Sequence, residues 1–150
     1  MRRMIIVLLA VLALIPVSVA AGQDSLQNCT IAADEFMKSL TDNGYFLMPM
    51  SDLINLTENE TVMSDWIILD IRPEDRYAAG HILGSMNIPF PDIVSKMEAV
   101  PSDKKLAVVC GFDTNSAIVV AMLRILGSRD AWIVGGGTHG WLASGGEFVT

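Results

Sequence analysis

Two places in this 150-residue chain set reactive side chains at the ends of apolar runs: Cys110, and the pair Asp70 and Arg72. Cys110 closes the run Lys105 to Cys110. Six residues later Ser116 opens a segment with Ile118, Val119, Met122, Leu123 and Leu126 at helical spacing. A strand, a short loop and a helix in that order put the sulfur beside a helix N-terminus, worth about half a positive charge. That field favours the thiolate, the form of cysteine that attacks electrophiles. A lone cysteine after a strand is also a common small buried hydrophobe, and this segment by itself leaves both readings open. Asp70 and Arg72 either pair locally or leave Arg72 to supply a cation to a site. His81 and His139 sit next to glycines and read as residues that fix turns, and Trp141 reads as core. Two Cys and two His in these contexts build neither a disulfide framework nor a zinc site, so no metal and no cofactor is expected.

The elements that would position these residues alternate. Trp66 to Asp70 and Lys105 to Cys110 are unbroken apolar runs of strand length, the pattern of strands buried on both faces of a parallel sheet. Gly84 to Ile88 and Ala131 to Val134 are further strands, and Tyr45 to Met48 is a short apolar run. Helices are expected at Thr30 to Leu40, from Ser51, from Pro73 to Gly80, from Pro91, over Asn115 to Leu126, and as a final turn near Trp141. Residues 22–30 and 57–64 are polar and read as linker and loop. Strands and helices alternating at this spacing predict an α/β fold, whose chemistry lies beyond the carboxyl ends of the strands.

About half of the residues are apolar and 18% are charged, which suits one packed domain. A net charge of −7 argues against a nucleic-acid partner, which needs a basic face. Met1 to Met4 is basic, Ile5 to Ile15 is an unbroken apolar run, and small residues follow Pro16. This reads as a signal peptide over residues 1–21, with an uncleaved membrane anchor as the alternative. Either way the rest of the chain lies outside the cytoplasm. Residues 22–44 are then linker and N-terminal helix, and 45–150 the functional domain. Nine of the seventeen acids fall in residues 21–71, beside one base, Lys38, and read as a solvated face. Asn28, Asn55 and Asn59 each begin an Asn-x-Thr sequon, a glycan acceptor in an exported chain.

The stretch Leu69-Asp-Ile-Arg-Pro-Glu-Asp-Arg-Tyr77, then Gly80-His-Ile82, then Gly84-Ser-Met-Asn-Ile-Pro89, resembles the front signature of the rhodanese-like family. Cys110 and its loop stand where that family carries its active loop, and Gly135 to Trp141 with Ser144-Gly145 resemble its closing motif. The resemblance covers about residues 45–150. It implies a five-stranded parallel sheet with helices on both faces. It also implies a sulfur carrier, in which Cys110 attacks a sulfane sulfur, holds it as a persulfide and yields it to a thiol or cyanide. The backbone of Gly111, Phe112, Asp113, Thr114, Asn115 and Ser116 would cradle that persulfide. The six residues from Cys110 to Asn115 match the sulfurtransferase loop length; the related phosphatases have one residue more, ending in Arg.

Asp113 and Asn115 depart from the Gly and Arg that many members carry there. Both changes disfavour the thiolate and a dianionic donor such as thiosulfate. The expected partners are therefore a small, less charged sulfur donor and a thiol acceptor. The alternatives are a binding module that has lost turnover and docks an unidentified protein, or a thiol redox role joining Cys29 and Cys110.

Overall fold

The computed structural model describes residues 17–59 and 63–150, with side chains from residue 22 onward. The apolar run Ile5 to Ile15, which carries the export reading, lies outside the described residues. Among the described residues, no helix is long and apolar enough to cross a membrane.

Five strands form one parallel sheet: β1 (Leu47–Met48), β2 (Trp66–Asp70), β3 (Met86–Asn87), β4 (Lys105–Val109) and β5 (Ala131–Val134). Their order is β1-β5-β4-β2-β3. Among the described residues five α-helices accompany them: α1 (Val17–Ser39), α2 (Met50–Glu58), α3 (Glu74–Ala78), α4 (Thr114–Gly127) and α5 (Gly137–Ala143). The register sets Trp66 opposite Lys105 and Asp70 opposite Val109, so β2 and β4 end level. Asp70 and Cys110 thus reach the same edge of the sheet by different strands.

Alternation along β4 explains why the run from Leu106 onward is apolar throughout. Leu106, Val108 and Cys110 face one core with Val119, Val120 and Leu123 of α4. Ala107 and Val109 face the other, with Leu53 and Leu56 of α2 and Trp141 of α5. A strand covered on both sides has no position for a polar side chain. Each large side chain sealed in this way contributes about 1.5–3 kcal/mol.

The observed elements differ from the sequence reading in three places. Helix α1 is continuous through residues 22–30, which composition marks as linker. Its half-buried stripe is Cys29, Ala32, Ala33, Phe36 and Ser39, and before Thr30 only Cys29 belongs to it, too little to announce a helix there. Phe36 stacks on Phe46 with ring centroids 5.7 Å apart, and that contact ties α1 to the domain. Cys29 therefore sits on a helix, not in a flexible leader. The segment from Pro91 forms two 3-10 turns, Phe90–Asp92 and Met97–Ala99, in place of a helix. Pro89 and Pro91 remove backbone donors there, and the Arg129 side chain donates to the Val100 carbonyl at 3.1 Å. Helix α4 runs one residue beyond the expected Leu126, to Gly127, and Ser128 takes the left-handed cap at φ 49°.

Candidate active site

Cys110 is the first residue beyond β4 and only 6% exposed. Its thiol donates to the Phe112 carbonyl at 2.9 Å. Asp113 occupies the N-cap position of α4, yet its carboxylate does not cap that helix. It accepts instead from the Gly136 N–H at 2.6 Å. The first-turn N–H groups of α4 are left without a side-chain cap, and helix geometry aims them back toward the loop that carries Cys110. In the same turn the Ser116 hydroxyl is fully buried and has no hydrogen-bond partner among the described residues.

The loop is locked onto the start of α5. Thr138 N–H donates to the Cys110 carbonyl at 2.8 Å, and His139 N–H to the Gly111 carbonyl at 3.2 Å. The His139 ring nitrogen Nδ1 lies 2.6 Å from that same Gly111 oxygen, and the ring stacks on Phe112 with centroids 4.1 Å apart. Between them Gly137 has φ +54°, and a Cβ there would fall 2.4 Å from both the Cys110 and Phe112 carbonyl oxygens. Only glycine permits this approach and this backbone conformation together. The Gly-rich stretch read from the sequence as a closing motif is the clamp of the cysteine loop.

Cys110, Gly111 and Asn115 form one wall of a cavity of about 680 Å³, with Thr138 and His139 beside them. The facing wall is apolar, built from Pro73, Pro89, Phe90 and Pro91, and edged by Arg72 and Arg76. The other loop residues named from the sequence do not line this space: Phe112 stacks outward on His139, Asp113 is held by Gly136, Thr114 is exposed, and Ser116 lies buried beneath.

Asp70 does not line it either. Asp70 is fully buried and takes the Arg72 fork at 2.9 Å from Nε and 2.6 Å from Nη2. The Arg72 N–H adds a bond to Asp70 at 2.9 Å, and Nη2 donates to the Gly80 carbonyl at 2.8 Å. Asn87 ties the Asp70 and Arg72 carbonyls together from β3. This is the local pairing expected of the two residues, not a substrate contact for Asp70. The cation the sequence reading passed over is Arg76. It lies on α3, is exposed at the cavity, and makes no ion pair among the described residues. Its signal was faint: one more arginine, four residues beyond Arg72. His81 behaves as a turn residue, stacked on Tyr77 and paired through its backbone with Val149. Among the described residues no His, Cys, Asp and Glu cluster is arranged to hold a metal ion.

Residues 50–144 match the family model described as the rhodanese-like domain. A protein of Buchnera aphidicola is 30% identical over 83 residues, 52% of this chain and 56% of that protein. The chain thus spans just over half the length of that relative. A protein of Pseudomonas fluorescens named thiosulfate sulfurtransferase GlpE is 31% identical over 75 residues, 50% of this chain and 69% of that one. Among solved structures, a rhodanese-related protein of Thermoplasma volcanium superposes with a TM-score of 0.60 at 29% identity, covering 68% of this chain and 95% of that one.

Proposed function

Since the chain belongs to the rhodanese-like domain family, we propose that it is an exported sulfurtransferase whose Cys110 carries sulfane sulfur as a persulfide. The observation that carries this reading is the placement of Cys110: a strand-end cysteine in a cavity wall, facing a helix N-terminus that no side chain caps. In the loading step the Cys110 thiolate attacks the outer sulfur of a donor RS–SH. The donor's S–S bond breaks, its electron pair leaves on RS⁻, and the proton lost by Cys110 ends on that leaving group. The transferred sulfur then lies where first-turn N–H groups of α4 can donate to it, which would offset negative charge on it whenever the persulfide loses its proton. Asp113, with its carboxylate engaged by Gly136, opposes this charge less than the sequence alone implies.

The cavity walls support a donor class. Proline and Phe90 surfaces suit an organic group, and Arg76 suits an anionic substituent on it. An organic persulfide bearing a carboxylate fits better than bare thiosulfate, and a thiol is the acceptor. Export rests on the basic and apolar N-terminus, residues 1–21. Membrane attachment follows only if that segment stays uncleaved. N-terminal sequencing of protein from its own host decides between these: a start at Ala21 or Gly22 supports export, and a start at Met1 in the cytosol overturns it.

Intact-mass measurement after incubation with a sulfane-sulfur donor tests the activity. The parent should gain one sulfur atom, Cys29→Ser should gain it equally, and Cys110→Ser should gain none. A folded parent that never loads would favour a second reading, a module that binds a protein. The exposed Phe112, at 64%, beside the cavity favours that alternative.

A further inference from the structure

We propose that His139 is the proton carrier of the Cys110 site: its Nε2 takes the proton of the acceptor thiol and returns it to the Cys110 sulfur. This rests on the persulfide reading above and adds a group to it. The Gly111 carbonyl oxygen 2.6 Å from Nδ1 can only accept a hydrogen bond. Nδ1 therefore carries the hydrogen, and Nε2 is left with a bare basic lone pair. The ring's pose is fixed twice more: it stacks on Phe112 at an interplanar angle of 9°, and the His139 backbone N–H also binds Gly111. His139 lines the cavity that Cys110 lines, and it is exposed, so an incoming thiol reaches it. A ring held in one tautomer in the cavity that Cys110 also lines, with no partner for Nε2 among the described residues, is poised for proton transfer.

The charged surroundings leave that role to His139. From the loop, the Cys110 thiol donates to Phe112 and the Asp113 carboxylate is taken by Gly136. Across the cavity, Arg72 is balanced by Asp70, and Arg76 is a cation with no proton to accept. From α2, which packs against α5, the neighbour is Met50; the acids of α2 are Asp52, which lines a different cavity, and Glu58 at its last residue.

The step balances without an added oxidant. Nε2 takes the S–H proton of the acceptor R′SH. The thiolate R′S⁻ attacks the outer sulfur of the Cys110 persulfide and forms R′S–SH. The bond between Sγ and that sulfur breaks, its electron pair stays on Sγ, and the protonated ring gives Sγ its proton. The net change is one sulfur atom moved from Cys110 to the acceptor, with both thiols neutral.

The test uses the full chain, loaded with inorganic polysulfide, with loading read by intact mass. Release is then timed with two acceptors at about pH 7: mercaptoethanol, which is mostly protonated there, and thionitrobenzoate, which is already a thiolate. In His139→Asn the amide N–H can still donate to Gly111, but the base is gone. The expected result is a loss of about a hundredfold or more with mercaptoethanol and less than about threefold with thionitrobenzoate. Equal slowing with both acceptors would make His139 a purely structural residue and overturn the proposal. So would no slowing with either. A parent that does not load at all overturns the persulfide reading, and this proposal with it.

Discussion

Strands β2 and β4 end side by side, and both ends carry reactive side chains, but they serve opposite purposes. At the end of β2, Asp70 is fully buried, and hydrogen bonds to Asp70, Gly80 and a nearby aromatic ring account for the Arg72 guanidinium. At the end of β4, Cys110 opens on a cavity, no side chain caps α4, and His139 Nε2 has no partner among the described residues. Saturated polar groups hold a fold, because removing any one strands its partner. Unsaturated ones, held rigid by their neighbours, are left to meet a ligand. The charge at β2 is a brace, and the weakly polar thiol beside it is the group proposed to react.

Breaking the brace should produce the largest effect. Asp70→Asn leaves the Arg72 charge almost buried and uncompensated, at a cost of about 3–5 kcal/mol. Thermal unfolding should then fall by roughly 10–20 °C; a fall of only about 2 °C would show that the pair does not brace the fold. Gly137→Ala attacks the other strand end. The left-handed φ alone costs about 1–2 kcal/mol, and the Cβ must also push the Cys110 carbonyl aside. Sulfur loading should slow by at least about tenfold while the domain stays folded; an unchanged loading rate would mean that the loop needs no clamp.

Smaller effects sharpen the comparison. Arg76 is an exposed cation, so Arg76→Ala should cost about 1 kcal/mol, or about fivefold in loading from an anionic persulfide. A neutral donor should be indifferent, and added salt should erase the difference. Equal losses with both donors would assign Arg76 to folding instead. Cys29→Ser should change stability by less than about 0.5 kcal/mol, because the side chain is only half-buried on α1. A larger loss, or a disulfide to Cys110 on oxidation, would restore a redox role for it.

Much of this fold is legible in the sequence because burial on both faces writes β2 and β4 as continuous apolar runs. Cys110 is legible for the same reason: the run stops at it, and a striped helix follows. The first half of α1 was hidden because over residues 22–30 Cys29 alone turns partly inward, so composition suggested linker. The functions of Asp113 and His139 were hidden because each depends on a partner more than twenty residues away in sequence, Gly136 and Gly111. Single-residue chemistry assigned a field to the Asp113 charge; the backbone donor that absorbs it is set by how α5 docks, which no local pattern encodes.

The strand order carries a consequence for how the chain is built. Leu47 and Met48 belong to the first strand made, yet their partners are Ile133 and Val134 in the last. His81 likewise pairs with Val149. During N-to-C synthesis β1 can find no edge to join until nearly the whole domain has emerged, and Cys110 can gain no clamp until Gly137 to His139 arrive. Sequence-distant pairing of this kind slows closure and leaves strand edges open meanwhile. The nascent domain therefore passes through a stage in which Cys110, at the end of β4, is unguarded, and the arrival of Gly136 to His139 is the step that ends it.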